Sequence, residues 1–173
     1  MIVVVDSYGK ISIGTKSQTT CSSWIEFKHT RSGIRNLYRK RILHIYGQSR
    51  TTERLQHLLE RALASCYVDP LSVPGNATYW ASASAASGYD KYRKASGRDI
   101  EDIPLVEIRN ATLLALRQQL SLSVSDLLSQ ISRLFGFQRR TPKTIQLITR
   151  AIEVLEQEGL ASRVGDTVIY QSH

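Results

Sequence analysis

The sequence has few of the residues that metal centres, disulfide frameworks and membrane spans require. It contains only two cysteines, Cys21 and Cys66, and four histidines in 173 residues. Neither cysteine has metal-ligand spacing to a histidine, so we expect reduced thiols and neither a metal nor another cofactor. The opening apolar run MIVVV is too short for a signal peptide, and no later run is long enough to cross a bilayer. We therefore expect a cytoplasmic protein that binds no membrane.

The usual signatures of catalysis are also scarce. There is neither a Gly-rich phosphate loop ending in Lys and Ser or Thr nor an acid pair of the ATPase kind, and no nucleophile and base can be paired. Asp6, Glu26 and Lys28 do follow the order of a D…E-x-K nuclease, in which two carboxylates hold Mg²⁺ and the lysine orients water. Ordinary exposed strand charges produce the same pattern. We expect no enzyme and no small-molecule substrate, and keep a Mg²⁺-dependent nuclease as an alternative.

Positive charge is what the chain has in excess. Lys and Arg number 23 against 15 Asp and Glu, which gives a net charge of +8 and a pI near 9.7. Such a surface attracts polyanions, nucleic acids above all, although net charge says nothing about the fold. A hydrophobic content of 42% over this length is enough for one or two small packed domains.

The last third of the chain predicts three helices. One apolar set begins after Pro104, and a second one, spaced at three and four residues, closes at Gly136 as a helix C-cap does. The third helix begins with Thr141 as N-cap and Pro142 in the first turn, where the missing N–H costs nothing. It stops at Gly159, so both of its ends are marked by the sequence.

Two short strand-like runs, 160–164 and 167–170, directly follow the third helix. They flank Gly165-Asp166, a pair suited to the positive φ values of a two-residue hairpin turn. Helix, helix, capped helix and hairpin in this order are the plan of a winged helix, a form of helix-turn-helix that places its recognition helix in a DNA groove. We therefore predict an α+β, mainly helical chain with a winged helix at residues 102–173.

The predicted third helix has one apolar side and one polar side. At about 100° per residue, the apolar side faces the first two helices and consists of Ile145, Ile148, Ala151, Ile152 and Leu155. The polar side carries Lys143, Gln146, Arg150 and Gln157, with Arg139 and Arg140 before the helix and Arg163 in the hairpin. Lys and Arg neutralise phosphates, and Arg and Gln can also bond base edges. A solvated helix face would look the same, and the winged-helix order is what favours DNA.

Two runs in this region, IPLVEIRNATLLAL and LFGFQRRTPKTIQLITRAIEVLEQEGLASRVGDTVIY, resemble a domain of unknown function at the C-terminal end of large bacterial helicase-like proteins. Those proteins often also carry a Vsr-like endonuclease domain. The matching signature is Phe135-Gly136-Phe137, then Arg139 before a capped helix and a short hairpin, within residues 100–171. The upstream runs TYW and YDKYR are similar to the linker before that domain. The resemblance implies an accessory nucleic-acid-binding or docking module of a DNA-processing machine.

The middle of the chain is similar to the last third at a displacement of ninety residues. Arg50, Thr51 and Gly75 then fall on Arg140, Thr141 and Gly165. We interpret this as an internal repeat, and hence as two winged helices in tandem with a degenerate first copy. In this register Glu53, Gln56 and Glu60 lie opposite Lys143, Gln146 and Arg150. Since two carboxylates repel phosphate, we expect the third helix of the first copy to pack against protein.

A strongly basic segment precedes that helix in the first copy. Between Glu26 and Glu53 lie seven Lys or Arg and no acidic residue, with an apolar stripe of Ile34, Leu37, Tyr38, Ile42 and Ile45. The pattern predicts an amphipathic helix whose Arg35, Arg39 and Lys40 are further candidates for nucleic-acid contact. Such a helix can also bind an acidic partner or an anionic membrane. Without a lipidation signal, the membrane is the least favoured of the three.

The remaining segments complete the predicted domain organisation. Residues 2–5 and 10–13 have the pattern of a β-hairpin, so we assign 1–80 to this hairpin and the degenerate repeat. An Ala- and Ser-rich composition predicts a linker at 81–101, before the C-terminal winged helix. The favoured function is non-catalytic binding of DNA, duplex in preference, as an accessory to a helicase or nuclease. The alternative is a protein-docking module of the same kind of assembly, because the fold alone does not decide between them.

Overall fold

The computed structural model describes residues 2–5, 11–14, 32–34, 39–40, 43, 47, 49–64, 66–73, 76–95 and 97–172. The chain is α+β and consists of two compact units, which divide between Tyr89 and Asp90. Each unit combines helices with small antiparallel sheets. The sequence-based assignment of the fold class as α+β is therefore confirmed.

The N-terminal unit begins with the predicted hairpin. Strand β1 (Ile2–Val5) pairs antiparallel with strand β2 (Ile11–Gly14), and Ile2 lies opposite Gly14. The two strands form a two-stranded sheet of their own. The predicted hairpin is thus confirmed, with its second strand displaced by one residue.

A second sheet in this unit is formed by strands that precede and follow one helix in the sequence. Its elements are β3 (Ser32–Ile34), α1 (Glu53–Leu63), β4 (Tyr67–Val68) and β5 (Thr78–Trp80), and its strand order is β3-β5-β4. Residues 39, 40 and 43 have helical backbone between β3 and α1. Ile34, which we predicted on the apolar stripe of a helix, lies instead in a strand opposite Thr78. That prediction was wrong because the pairing partner of β3 lies more than forty residues away, beyond the reach of a local pattern.

Helix α1 begins one residue later than the repeat predicted. Thr52 has extended backbone (φ −91°, ψ 156°), and its hydroxyl accepts a hydrogen bond from the Leu55 amide at 3.4 Å. A side-chain oxygen in this position replaces one of the amide partners that a helix lacks in its first turn. The N-cap is therefore Thr52, and the equivalence of Thr51 with Thr141 was wrong. The side chains of Leu55, Leu59 and Leu63 are buried on one side of the helix.

A buried carboxylate organises the long connection between β4 and β5. The Asp69 carboxylate accepts the Trp80 indole N–H at 2.6 Å and the Leu71 amide at 2.8 Å. The Asp69 amide donates to the Thr78 carbonyl at 2.9 Å. Asp69 and Trp80 are only 6% and 1% exposed. Because buried polar groups need partners, this residue fixes the hairpin through three hydrogen bonds.

The stretch predicted as a linker, residues 81–101, differs from that expectation. It begins with the short helix α2 (Ala83–Ser87), whose N-cap is Ser82. From residue 90 onwards it belongs to the C-terminal unit, where the Tyr92 ring lies edge-on to Phe135 at 5.7 Å and the Ala95 amide donates to the Phe135 carbonyl. Low hydrophobicity along the stretch concealed these long-range contacts.

The C-terminal unit contains three α-helices and a three-stranded sheet. Its elements are a 3-10 turn (Ile100–Asp102), α3 (Leu105–Gln119), β6 (Ser121–Ser123), α4 (Val124–Phe135), α5 (Pro142–Gln157), β7 (Ala161–Val164) and β8 (Thr167–Tyr170). The three predicted helices and the predicted hairpin are confirmed. Strand β6 was not predicted. It pairs with β8 and gives the strand order β6-β8-β7, so it depends on a partner distant in sequence.

Local signals explain the helix ends. The Thr141 hydroxyl accepts the Thr144 amide at 3.2 Å, and Pro142 occupies the first turn of α5. Ser123 caps α4 in the same way, accepting the Asp126 amide at 3.0 Å. Gly136 ends α4 with φ 87°, in the left-handed region that favours glycine. These caps satisfy backbone groups that no neighbouring turn can reach.

One apolar core joins the helices of the C-terminal unit to its sheet. Its fully buried side chains are Ile108, Leu116, Leu127, Ile131, Phe135, Ile148, Ile152, Leu155 and Val168. A charge pair lies at the edge of this core. The Arg93 side chain binds the Glu107 carboxylate, which is 0% exposed and also accepts the Arg93 amide at 3.1 Å. The pair ties the segment that begins at residue 90 to helix α3.

Candidate nucleic-acid interface

Helix α5 presents a polar side outside the C-terminal core. Lys143, Gln146 and Arg150 are exposed, whereas Leu147 and Ile148 are buried. The structure therefore places the predicted polar row on the solvent side of the helix. The predicted apolar side was wrong at one position, because the Ile145 side chain is 41% exposed.

Thr144 takes the core position that we had assigned to Ile145. It is 2% exposed, and its hydroxyl bonds that of Thr141 at 2.9 Å. The hydrogen bond removes the cost of burying a polar group. The outer side of α5 thus combines an apolar residue, Ile145, with the polar row.

Each cation along α5 and the hairpin lies near a carboxylate. Lys143 Nζ is 3.4 Å from Glu101 Oε1, and Arg150 Nη1 is 2.8 Å from Glu153 Oε2. Arg163 Nε, in β7, is 3.1 Å from Glu156 Oε1. Exposed pairs of this kind contribute at most about 1 kcal/mol each. A phosphate can therefore displace the carboxylates, although they reduce the positive potential along the row.

The two arginines before α5 are not paired with carboxylates in the described part of the chain, unlike the cations of α5 itself. Arg139 is exposed and has no ion pair or hydrogen bond with any residue that the structure describes. Arg140 is exposed and donates to the Ser129 hydroxyl at 3.0 Å. The first turn of α5 contains no acidic residue of its own, and the carboxylate beside it, that of Glu101, pairs with Lys143, so the positive end of the helix dipole is only partly opposed there. This end of the row is the better suited to an anion.

The hairpin after α5 is held at its turn. Gly165 has φ 60°, while Asp166 is not in the left-handed region, so the turn needs positive φ at one position instead of the two expected. The Asp166 carbonyl accepts the Val124 amide at 2.8 Å, which attaches the turn to the start of α4. Arg163 and Val164 remain exposed beside it. The structure thus places Arg163 on the same unit as the α5 row, in a well-anchored strand.

The candidates in the N-terminal unit are described only in part. Arg39 and Lys40 are exposed and have helical backbone. Arg35 lies outside the described residues, as do Asp6, Glu26 and Lys28 of the nuclease alternative. Within the described part of the chain, no group of three or more His, Cys, Asp or Glu is placed to hold a metal ion.

Sequence reasoning missed a second row, on helix α1. When α1 and α5 are aligned by their observed N-caps, Thr52 and Thr141, the displacement is 89 residues. Opposite Lys143, Gln146 and Arg150 then lie Arg54, His57 and Arg61. The predicted equivalents, Glu53, Gln56 and Glu60, were therefore wrong by one residue. The spacing of Leu55, Leu59 and Leu63 in the sequence could have indicated which side of the helix is buried. The start of the helix stayed ambiguous because the adjacent Thr51 and Thr52 are equally good caps by sequence.

Comparison with protein-family models, curated proteins and solved structures found no match for this chain. Within the described residues, no helix is both long enough and apolar enough to span a bilayer. Function must therefore be argued from the geometry and charge of the two units.

Proposed function

We propose that the chain is a non-catalytic DNA-binding module and that its C-terminal unit is a winged helix. The order α3, β6, α4, α5, β7, β8 and the strand order β6-β8-β7 support this proposal. In such a fold α5 is the recognition helix and the β7-β8 hairpin is the wing. The bound species is duplex DNA, which a helix enters through the major groove.

The described elements of the N-terminal unit, from β3 onwards, support a second winged helix, although no described element corresponds to α3. A strand, helical residues, a capped helix and a hairpin follow in the same order, and the strand order β3-β5-β4 corresponds to β6-β8-β7. Agreement in both element order and sheet order is more demanding than a few shared identities. We therefore propose two winged helices in tandem.

The observation that carries the DNA proposal is the exposed row of α5. Lys143 and Arg150 can neutralise phosphates, while Gln146 and Arg150 have the donors and acceptors that base edges require. Arg139, three positions before the helix, adds a cation that pairs with no residue in the described part of the chain. A protein-docking helix usually presents a larger apolar surface, and here Ile145 is the one large apolar side chain among the exposed residues of α5.

Nearby carboxylates predict moderate affinity. Glu101, Glu153 and Glu156 each accompany one of the cations, and residues 90–173 contain twelve Lys or Arg against ten Asp or Glu. The resulting net charge of this unit is +2. Moderate, salt-dependent binding suits an accessory of a helicase- or nuclease-type assembly, which is the context that the family resemblance implies.

Fluorescence anisotropy with labelled duplex and single-stranded DNA tests this proposal. The variant Lys143→Gln with Arg150→Gln removes two charges from α5 and keeps good helix formers in place. Its control is Lys91→Gln with Lys94→Gln, an equal charge change at exposed residues outside the helices. We expect duplex binding that weakens steeply with salt and weakens further in the α5 variant alone. No binding by the native chain at low salt would overturn the proposal and favour protein docking.

A further inference from the structure

We infer that the N-terminal unit carries a duplex-DNA contact surface of its own, formed by Arg54, His57 and Arg61 of α1. These three residues are called the α1 row below. The inference rests on the proposed DNA-binding function and adds a second contact site to it. It also reverses the expectation that this helix packs against protein.

Helix geometry places the α1 row on the solvent side. Arg54, His57 and Arg61 are spaced i, i+3 and i+7, so they lie along one face of the helix. All three are exposed, and the His57 side chain is 79% exposed. The core contacts are made from the opposite side, where Leu59 and Leu63 are buried against Cys66 and Tyr79.

The cap-based register relates this row to the one on α5. With Thr52 aligned to Thr141, the buried residues correspond as well as the exposed ones. Leu55, Leu59 and Leu63 fall on Thr144, Ile148 and Ile152, and all six are buried. Each helix also stands immediately before a hairpin of its own sheet. The α1 row therefore occupies the position of a recognition surface within its unit.

The N-terminal unit carries more net positive charge than the C-terminal unit, which favours its binding to DNA. Residues 1–89 contain eleven Lys or Arg against five Asp or Glu, a net charge of +6, whereas residues 90–173 have a net charge of +2. Arg54 and Arg61 form no ion pair within the described part of the chain, unlike Lys143 and Arg150. Unpaired cations release more counterions when they meet phosphates.

An acidic row runs beside the cationic one. Glu53, Gln56 and Glu60 also have i, i+3, i+7 spacing, and the Gln56 amide donates to Glu60 Oε1 at 3.1 Å. The cap-based register aligns them with Pro142, Ile145 and Thr149 of α5, which carry no charge. Glu60 Oε2 also lies 3.9 Å from Nδ1 of His57 in the α1 row, so these carboxylates lower the affinity of α1 for phosphate. Their removal should therefore strengthen DNA binding.

The chemistry of the face identifies the partner as DNA. Every exposed residue described on α1 is polar or charged: Glu53, Arg54, Gln56, His57, Glu60 and Arg61. An apolar protein surface or the acyl region of a membrane needs large apolar side chains in the contact. A row of two guanidinium groups and an imidazole suits phosphates and base edges.

The test compares three double variants of the full chain that each lose two positive charges. They are Arg54→Gln with Arg61→Gln on α1, Lys143→Gln with Arg150→Gln on α5, and Lys91→Gln with Lys94→Gln as control. Affinity for a labelled duplex is measured across a salt series. We expect the α1 variant to bind on the order of tenfold more weakly than the control. Its slope of log affinity against log salt should fall by about 1.8, the value for two lost phosphate contacts.

Two further variants distinguish a lost DNA contact from unfolding of the protein and from a general effect of net charge. Arg54→Lys with Arg61→Lys keeps both charges and should retain the salt slope. Glu53→Gln with Glu60→Gln should tighten binding severalfold, because it removes two negative charges that repel DNA from beside the α1 row. Circular dichroism melts accompany each variant. A weakened Lys variant with a native melt would overturn the assignment of Arg54 and Arg61 to phosphates.

The outcomes separate this inference from the proposed function. If the native chain binds and the α1 variant equals the control, the α1 row is not a DNA surface, and the DNA-binding proposal survives. If the α1 variant alone loses binding, this inference stands and the α5 assignment fails. If the native chain binds no duplex at low salt, both fail together.

Discussion

Helices α1 and α5 follow the same plan with a different balance of charge. Both begin at a threonine cap and bury residues at the third, seventh and eleventh positions after it. The cations of α5 each lie near a carboxylate, whereas Arg54 and Arg61 of α1 pair with none in the described part of the chain. Two surfaces of one architecture can therefore differ in affinity for the same polyanion. The comparison depends on the cap, since a shift of one residue exchanges a cationic row for an acidic one.

The two units also differ in how a buried charge stabilises them. In the C-terminal unit Glu107 is paired with Arg93, which ties the segment from residue 90 to α3. In the N-terminal unit Asp69 forms no ion pair with any residue that the structure describes and is held by amides and an indole. A buried carboxylate without its donors is costly in either unit. The most damaging substitutions should therefore be those that remove these donors or the carboxylate itself.

Breaking the buried pair of the C-terminal unit should have the largest effect. Arg93→Ala leaves the fully buried Glu107 without its cation, and we expect a loss of about 3 kcal/mol in the free energy of unfolding. Hydrogen exchange of the α3 amides in the full chain measures it. Arg163→Ala, which breaks the exposed pair with Glu156, should cost less than about 1 kcal/mol. Equal losses in the two variants would contradict the role assigned to Glu107.

The second prediction compares the aspartates of the two hairpins. Asp69→Ala removes the acceptor of the Trp80 indole and of the Leu71 amide, and should lower stability by about 2 kcal/mol. Asp166→Ala, at an exposed turn, should change it by less than about 0.5 kcal/mol. Urea unfolding followed by tryptophan fluorescence measures the first effect directly. A native-like midpoint for Asp69→Ala would show that this hydrogen-bond network does not stabilise the unit.

The third prediction sharpens the register on which the comparison of α1 with α5 depends. Thr52→Ala removes the hydroxyl that caps α1 and should cost about 1 kcal/mol, as should Thr141→Ala at α5. Thr51→Ala should cost less than about 0.5 kcal/mol. Thermal melts of the three variants under one condition are sufficient. A larger loss for Thr51→Ala than for Thr52→Ala would restore the displacement of ninety residues and remove the α1 row.

The smallest expected effect is a pH dependence confined to the N-terminal unit. Burial raises the pKa of the Cys66 thiol above its ordinary value of 9.0, and residues 90–173 contain no cysteine. A thiol whose pKa is raised by folding stabilises the fold fully below its unfolded pKa. That contribution is lost as the pH rises through the unfolded and then the folded pKa. Stability should thus fall slightly more between pH 8 and about pH 10 in the native chain than in Cys66→Ser; identical pH profiles would contradict this.

Local signals in the C-terminal unit made most of its elements predictable. Thr141-Pro142, Gly136 and Gly165 mark helix ends and a turn through bonds to residues a few positions away. Hydrophobic periodicity mispredicted one core residue of α5. Thr144 is buried in place of Ile145 because its hydroxyl is hydrogen-bonded to that of Thr141. Periodicity also failed at β3 and β6, which are too short to show a period and pair with strands far along the chain.

The candidate site was predictable on α5 and not on α1. A proline and a single threonine define the start of α5, whereas Thr51 and Thr52 leave two registers open for α1. The carboxylates that lie near the α5 cations could not be predicted from the sequence either. Glu101 is 42 positions from Lys143 in sequence, and no local pattern brings them within 3.4 Å.

The sequence by itself determined the excess of positive charge, the helices of the C-terminal unit and the hairpins, because composition and short-range hydrogen bonds act within a few residues. Only the tertiary structure decided which side of α1 meets solvent, which cations of α5 are neutralised and which carboxylates are buried. These features depend on contacts between distant segments, such as the ion pair of Lys143 with Glu101. The surfaces that we assign to DNA are the helix sides that these contacts leave exposed to solvent.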